Sequence, residues 1–227
     1  MPTKTRALKI RVDADREVSG ILDLPPKADA CLVLAHGAGA GMTHAFMQAV
    51  ASELAERGIA TLRYQFPYME AGGRRPDPPK LAHATVRAAV EAAAREAKGL
   101  PLFAGGKSFG GRMTSQAQAL APLPEVRGVV FFGFPLHPAG KPSAERGDHL
   151  ANVKVPMLFL QGTRDALAEL DLSQPLVKTL SRHATLKLAE DADHSFHVPA
   201  RSGRKDPEVR SELLDFAAAW MKKIVES

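Results

Sequence analysis

The sequence predicts an α/β fold built on a mainly parallel central sheet. Short apolar runs at 31–35, 59–64, 102–104, 126–132, 155–160 and 184–188 alternate with segments whose apolar residues recur at helical spacing. Several of these runs are continuous rather than alternating, as expected of strands covered on both faces. Strand–helix alternation of this kind folds into a parallel sheet with helices on both sides, and ligands of such sheets bind outside the carboxyl ends of the strands. Polar residues gather at those ends here.

Composition narrows the class. A chain of 227 residues suits one domain, 1–227, with a full core. With 45% hydrophobic and 24% charged residues it reads as globular rather than disordered. The net charge of +5 is mild and scattered, with small clusters at Arg74-Arg75 and at 201–205. No aromatic-interleaved basic stripe accompanies it, so no nucleic-acid partner is expected. The single cysteine, Cys31, excludes an internal disulfide and, inside an apolar run, reads as a buried thiol. No apolar stretch approaches the ~18 residues of a membrane span. The first residues lack the apolar core of a signal peptide. A cytoplasmic location is the expectation. No cluster of His, Cys and carboxylates has metal-ligand spacing, so neither metal nor cofactor is expected.

The elements follow in order. Runs 8–12 and 18–24, joined by the polar turn 13–16, form an antiparallel hairpin that Pro25-Pro26 ends. Strand 31–35 runs into His36-Gly37-Ala38-Gly39-Ala40-Gly41. Thr43 is expected to cap a helix carrying Phe46, Met47, Val50, Ala51 and Leu54, with Gly58 as its stop. After strand 59–64, residues 65–79 read as an irregular loop holding Tyr68, and a loop of this length in a compact domain is often functional. An alanine-rich helix spans 81–98, and a strand from Leu102 leads to Ser108 and a helix ending near Leu120. Strand 126–132 precedes a second irregular insertion, 133–150, which holds His137 and His149. Strand 155–160, a helix at 167–180, strand 184–188 and the turn 191–194 come next. Asp206 is expected to cap a final helix with Pro207 at its first position. Val209, Leu213, Phe216, Ala217, Trp220 and Ile224 form the stripe it buries, Trp220 as core.

The chemistry centres on Gly106-Lys107-Ser108-Phe109-Gly110, a G-x-S-x-G match. Between strand and helix this pattern makes a tight turn that lifts a serine hydroxyl above the sheet. Gly106-Lys107-Ser108 also looks like the end of a P-loop, but Pro101 stands where that motif requires glycine. Alone, the match is equally a plain glycine-rich turn. Three further strand ends decide between these readings. The small residues 36–41 leave backbone N–H groups bare, as an oxyanion site requires. Asp165 follows one strand and His194 follows the last, in the order Ser, Asp, His. A serine needs a base to take its proton, and the base needs an acid to hold its tautomer. His197 competes with His194 for the first role, and Asp191 and Asp193 compete with Asp165 for the second. His36 reads as structural, bonded within its own loop.

The sequence resembles the α/β-hydrolase superfamily, and within it the small dienelactone-hydrolase-like bacterial branch. The segments that carry the resemblance are HGAGAG at 36–41, RYQFPYME at 63–70, GGKSFGGRM at 105–113, FPLHPAGKP at 134–142, LFLQGTRDAL at 158–167 and DADHSF at 191–196. It implies an α/β-hydrolase fold without a large lid domain and a triad of Ser108, Asp165 and His194. It also implies an oxyanion hole from the N–H of Phe109 and one from the Ala38 region. Gly37, Gly39, Lys107, Tyr68 and His137 are the further residues expected around substrate. Dienelactone hydrolases proper use a cysteine nucleophile, so their substrate is not carried over. The expected activity is hydrolysis of a small carboxylic ester or thioester. The rival is a non-catalytic domain of the same fold that binds a ligand or partner.

Overall fold

The computed structural model describes residues 2–226. The chain opens with a hairpin of β1 (Lys4–Arg11) and β2 (Glu17–Leu24). Then follow β3 (Ala30–Ala35), α1 (Ala45–Glu56), β4 (Ile59–Tyr64), the short α2 (Pro67–Glu70), α3 (Pro79–Glu96) and β5 (Leu102–Lys107). The second half contains α4 (Phe109–Leu120), β6 (Val126–Phe132), β7 (Met157–Gly162), α5 (Leu170–Thr179), β8 (Ala184–Ala189) and α6 (Asp206–Val225). No described helix is long and apolar enough to cross a membrane.

One eight-stranded sheet runs in the order β1-β2-β4-β3-β5-β6-β7-β8. The hairpin joins antiparallel, and every pairing from β4 to β8 is parallel. Because β4 lies on one side of β3 and β5 on the other, the chain changes direction at β3. The loops leaving β3 and β5 therefore stand side by side at the carboxyl edge, where such sheets bind ligands.

Alternation along the strands assigns the layers. Val33 and Ala35 of β3 point to the face covered by α3 and α4, with Ala89 and Met113. Leu32 and Leu34 point to the opposite face, with Val50 and Leu54 of α1 and Leu214 of α6. A third cluster joins Phe131 and Phe159 to Leu150 and Val177 beneath α5. Each such buried aliphatic side chain contributes ~2 kcal/mol. Alanine on α3 serves closeness: Ala89 and Ala93 are fully buried, which lets the helix lie near the sheet.

Several boundaries differ from the sequence reading. His44, not Thr43, caps α1, and its Nδ1 accepts the Phe46 N–H at 3.3 Å. Segment 65–79 is not wholly irregular, since Pro67, pre-set at a first helical position, starts α2. Insertion 133–150 runs into a 3₁₀ stretch, Glu145–Asn152. α5 begins at Leu170 rather than 167, because the Leu167 N–H goes to the Asp165 carboxylate and its carbonyl accepts from Leu136 and His137. Asp206 does not cap α6; its carboxylate turns back to accept the Val198 N–H at 3.0 Å and to meet His197. Lys205 takes the cap position, its N–H donating to Glu208 Oε2. Trp220 is half-buried at the rim of the core, its ring 5.9 Å from that of Phe103.

One buried ion pair fastens the hairpin to the parallel sheet. Arg63 of β4 donates to Asp23 of β2 at 2.8 Å and to the Met42 carbonyl at 3.0 Å, in the segment that leads into α1. Thr5 completes the shell of Asp23 at 2.7 Å. Removing one partner strands the other charge. Asp23→Ala is expected to lower unfolding stability by ~3–5 kcal/mol in urea titrations. A loss below ~1 kcal/mol, the range of an exposed pair, would show that the charge finds water instead.

Candidate active site

The turn after β5 places Ser108 at φ 50° and ψ −115°. A non-glycine residue in that region is strained, and the strain holds the side chain above the sheet. The flanking glycines make the turn possible. A Cβ on Gly106 would stand 2.4 Å from the Ala35 carbonyl oxygen, and one on Gly110 would stand 2.5 Å from that of His36. The β5–α4 turn thus lies directly on the backbone leaving β3.

His36 fixes that backbone. It is fully buried, its Nδ1–H donates to the Gly37 carbonyl at 2.8 Å, and its Nε2 accepts the Phe66 N–H at 3.1 Å. Burial pushes its pKa down to about 4, against the opposing pull of the Gly37 carbonyl. The neutral ring ties the small-residue loop to the chain leaving β4, the structural role expected of it. Tyr68 does the same from α2, its Oη accepting the Gly39 N–H at 3.3 Å. Ala40 N–H goes to the Gly37 carbonyl at 3.4 Å, whereas the Ala38 N–H has no partner among the described residues. The Phe109 N–H opens α4, where first-turn donors lack intrahelical acceptors.

Asp165 and His194 arrive from the next strands. Asp165, buried beyond β7, accepts the Leu167 N–H at 2.8 Å and a hydrogen bond from Gln161 Nε2. Gln161 is itself anchored, its Oε1 accepting the Phe134 N–H at 3.0 Å. His194 sits in the turn after β8, which Asp193 shapes by accepting from Ser195 N–H at 2.7 Å and His197 N–H at 3.0 Å. Its Nδ1 is 2.7 Å from Asp165 Oδ2 and its Nε2 is 2.8 Å from Ser108 Oγ. Residues expected at three separate strand ends meet in one hydrogen-bonded chain. The competitors lie elsewhere: His197 pairs with Asp206, and Asp193 is spent on its turn.

A cavity of about 510 Å³ opens over this chain. Gly37, Ala38, Ala40, Lys107, Ser108, His194 and Ser195 line it, with His44, Phe46 and Met47 from the start of α1 and Leu167 opposite. Three residues expected around substrate do not line it. His137 is fully buried and donates from Nδ1 to the Pro138 carbonyl at 2.9 Å. Tyr68 Oη accepts the Gly39 N–H, and neither residue reaches the cavity. Lys107 lines the cavity, but its ammonium donates to the His194 carbonyl. Phe46 and Met47, read from sequence as part of a helix stripe, and Leu167, read as a helix start, were not expected around substrate. Their positions just after two of the glycine and aspartate turns were the available signal.

A second serine–histidine contact lacks the same equipment. Ser115 Oγ is 2.8 Å from His149 Nε2, but Ser115 is fully buried and donates to the Arg112 carbonyl. His149 has a backbone hydrogen bond to Arg146 where a triad needs a carboxylate.

Fold and site together define an α/β hydrolase. Residues 28–222 match the model of the alpha/beta hydrolase domain family, and the chain belongs to that family. A dienelactone hydrolase from Anabaena variabilis superposes with a TM-score of 0.77 at 21% identity, covering 97% of each chain. A Xanthomonas campestris protein described as an α/β serine hydrolase without lid gives 0.74 at 22% identity, over 97% of this chain and 96% of that one. The esterase domain of a Rhodothermus marinus protein gives 0.74 at 16% identity, over 97% and 98%. These likenesses show the fold.

The buried imidazole of His36 makes stability depend on pH. Its folded-state pKa lies below the ordinary 6.5, so its contribution is full above that value and is lost as pH falls toward 4. His36→Gln keeps an acceptor for Phe66 and removes the titration. The variant is expected to lose ~3 kcal/mol less than the parent between these limits, measured by urea unfolding across pH. An unchanged slope would assign the acid sensitivity to other groups, His149 first among them, whose pKa burial also lowers to about 4.

Proposed function

We propose that the protein is a serine hydrolase that cleaves a carboxylic ester or thioester through an acyl-enzyme. The observation that carries this reading is the Asp165–His194–Ser108 chain, with contacts of 2.7 and 2.8 Å, opening on a largely apolar cavity. Ser108 Oγ attacks the substrate carbonyl while His194 Nε2 accepts its proton. Asp165 holds the Nδ1–H tautomer and stabilises the imidazolium that forms. The N–H groups of Phe109 and Ala38 receive the oxyanion, and each such donor is worth ~3 kcal/mol in the transition state. His194 then protonates the leaving alkoxide or thiolate. Water repeats the cycle on the acyl-Ser108 ester, which releases the acid and restores the hydroxyl.

Phe46, Met47 and Leu167 give the acyl or leaving group an apolar wall. Family membership supports the reaction class, and the similar structures named as an esterase domain and a dienelactone hydrolase are consistent with ester substrates.

A panel of p-nitrophenyl esters and acyl-CoA thioesters tests the reading. Turnover of at least one class is expected, with loss of essentially all of it in Ser108→Ala. Asp165→Asn is expected to fold normally and lose ~10⁴ in kcat through the wrong imidazole tautomer. Undiminished turnover in Ser108→Ala would contradict the nucleophile, and full activity in Asp165→Asn would move the acid elsewhere.

A further inference from the structure

Lys107 directly precedes Ser108 and lines the cavity, and its charge already has protein partners there. Its Nζ donates to the backbone carbonyl of His194. The same ammonium lies 5.2 Å from the centroid of the Phe196 ring and 5.9 Å from that of Phe46. Those two rings stack with an interplanar angle of 16°. Aromatic faces attract a cation most strongly where water is displaced.

The space below is reserved as well. Gly133, at φ +71°, follows β6, and a Cβ there would come within 3.0 Å of Lys107 Nζ and 3.3 Å of the His194 ring. Lys107 and His194 thus pack over one bare backbone position. The strand end that carries the serine and the turn that carries the histidine are 86 residues apart in sequence. The lysine joins them by a direct contact besides the Ser108–His194 hydrogen bond.

We propose that Lys107 is a positioning residue: its ammonium clamps the His194 backbone to the end of β5 and so holds the imidazole over Ser108. This inference rests on the hydrolase reading above. The side chain acts through His194 and does not bind a substrate carboxylate. Burial lowers its pKa to about 8, while Asp165 and Asp193 oppose that shift, so the site keeps the cation at neutral pH.

Lys107→Met and Lys107→Cys, the latter with and without alkylation by 2-bromoethylamine, test the clamp. Alkylation rebuilds a lysine-like ammonium at position 107. Cys31 is fully buried with its thiol pushed up to about 12, so it does not compete. In Lys107→Met, kcat on a neutral p-nitrophenyl ester is expected to fall ~30-fold or more with KM within ~3-fold. Alkylated Lys107→Cys is expected to recover most of kcat, and p-nitrophenyl hemisuccinate is expected to suffer no additional loss. Parental kcat in Lys107→Met would overturn the clamp, as would a rise in KM confined to the hemisuccinate, which marks a carboxylate-binding cation. If Lys107→Met fails to fold, the alkylated and unalkylated cysteine forms carry the same comparison. If the parent protein cleaves neither ester nor thioester, the hydrolase reading itself fails. The clamp is then read from amide hydrogen exchange over residues 190–198, where faster exchange in Lys107→Met supports it and unchanged exchange refutes it.

Discussion

Backbone strain at Ser108 is the constraint on which the site depends. A residue with a Cβ at φ 50° costs ~1–3 kcal/mol and persists only where its surroundings leave no alternative. Here the surroundings are backbone. Gly106 lies against Ala35 and Gly110 against His36, so the turn is wedged onto the end of β3. A side chain at either glycine would collide with the backbone leaving that strand. The strain therefore aims the hydroxyl, and the close approach also brings the Ala38 loop to the same point. Hydroxyl and bare N–H groups are positioned by one contact between two neighbouring strands.

The other two members need the rest of the sheet. Asp165 follows β7 and His194 follows β8, the last strands on the far side of β6. Neither is fixed by its own loop alone. Asp165 is buried and held by Gln161 and the Leu167 N–H, which are in turn bonded to the insertion after β6. His194 is held by the turn that Asp193 organises and by the Lys107 ammonium from β5. Side chains from different elements check one another, and small errors of placement at such a site cost large factors in rate.

Much of this was legible in the sequence because it rests on short-range rules. Continuous apolar runs marked the buried strands, and glycines at 106 and 110 marked the turn. What stayed hidden depends on three-dimensional neighbours. A lysine beside a serine reads as a cation for substrate, and only the fold shows the His194 carbonyl and two aromatic rings receiving it. His137 and Tyr68 sat in loops that looked functional, but one is entombed and the other braces Gly39. The cavity wall from Phe46, Met47 and Leu167 combines residues from α1 and the loop after β7, a pairing that no local pattern encodes. Helix caps failed for a similar reason: Asp206 had a competing donor at Val198, which the chain brings near only when folded.

Under the proposed function, Ser108 is the activated nucleophile. The most direct measurement is reaction of the folded protein with a fluorophosphonate, followed by peptide mapping of the adduct. Activation by His194 requires one adduct per chain, on Ser108, and none when the protein is first unfolded. Absence of labelling, or an adduct mapped to Ser115 or another residue instead, would contradict the account.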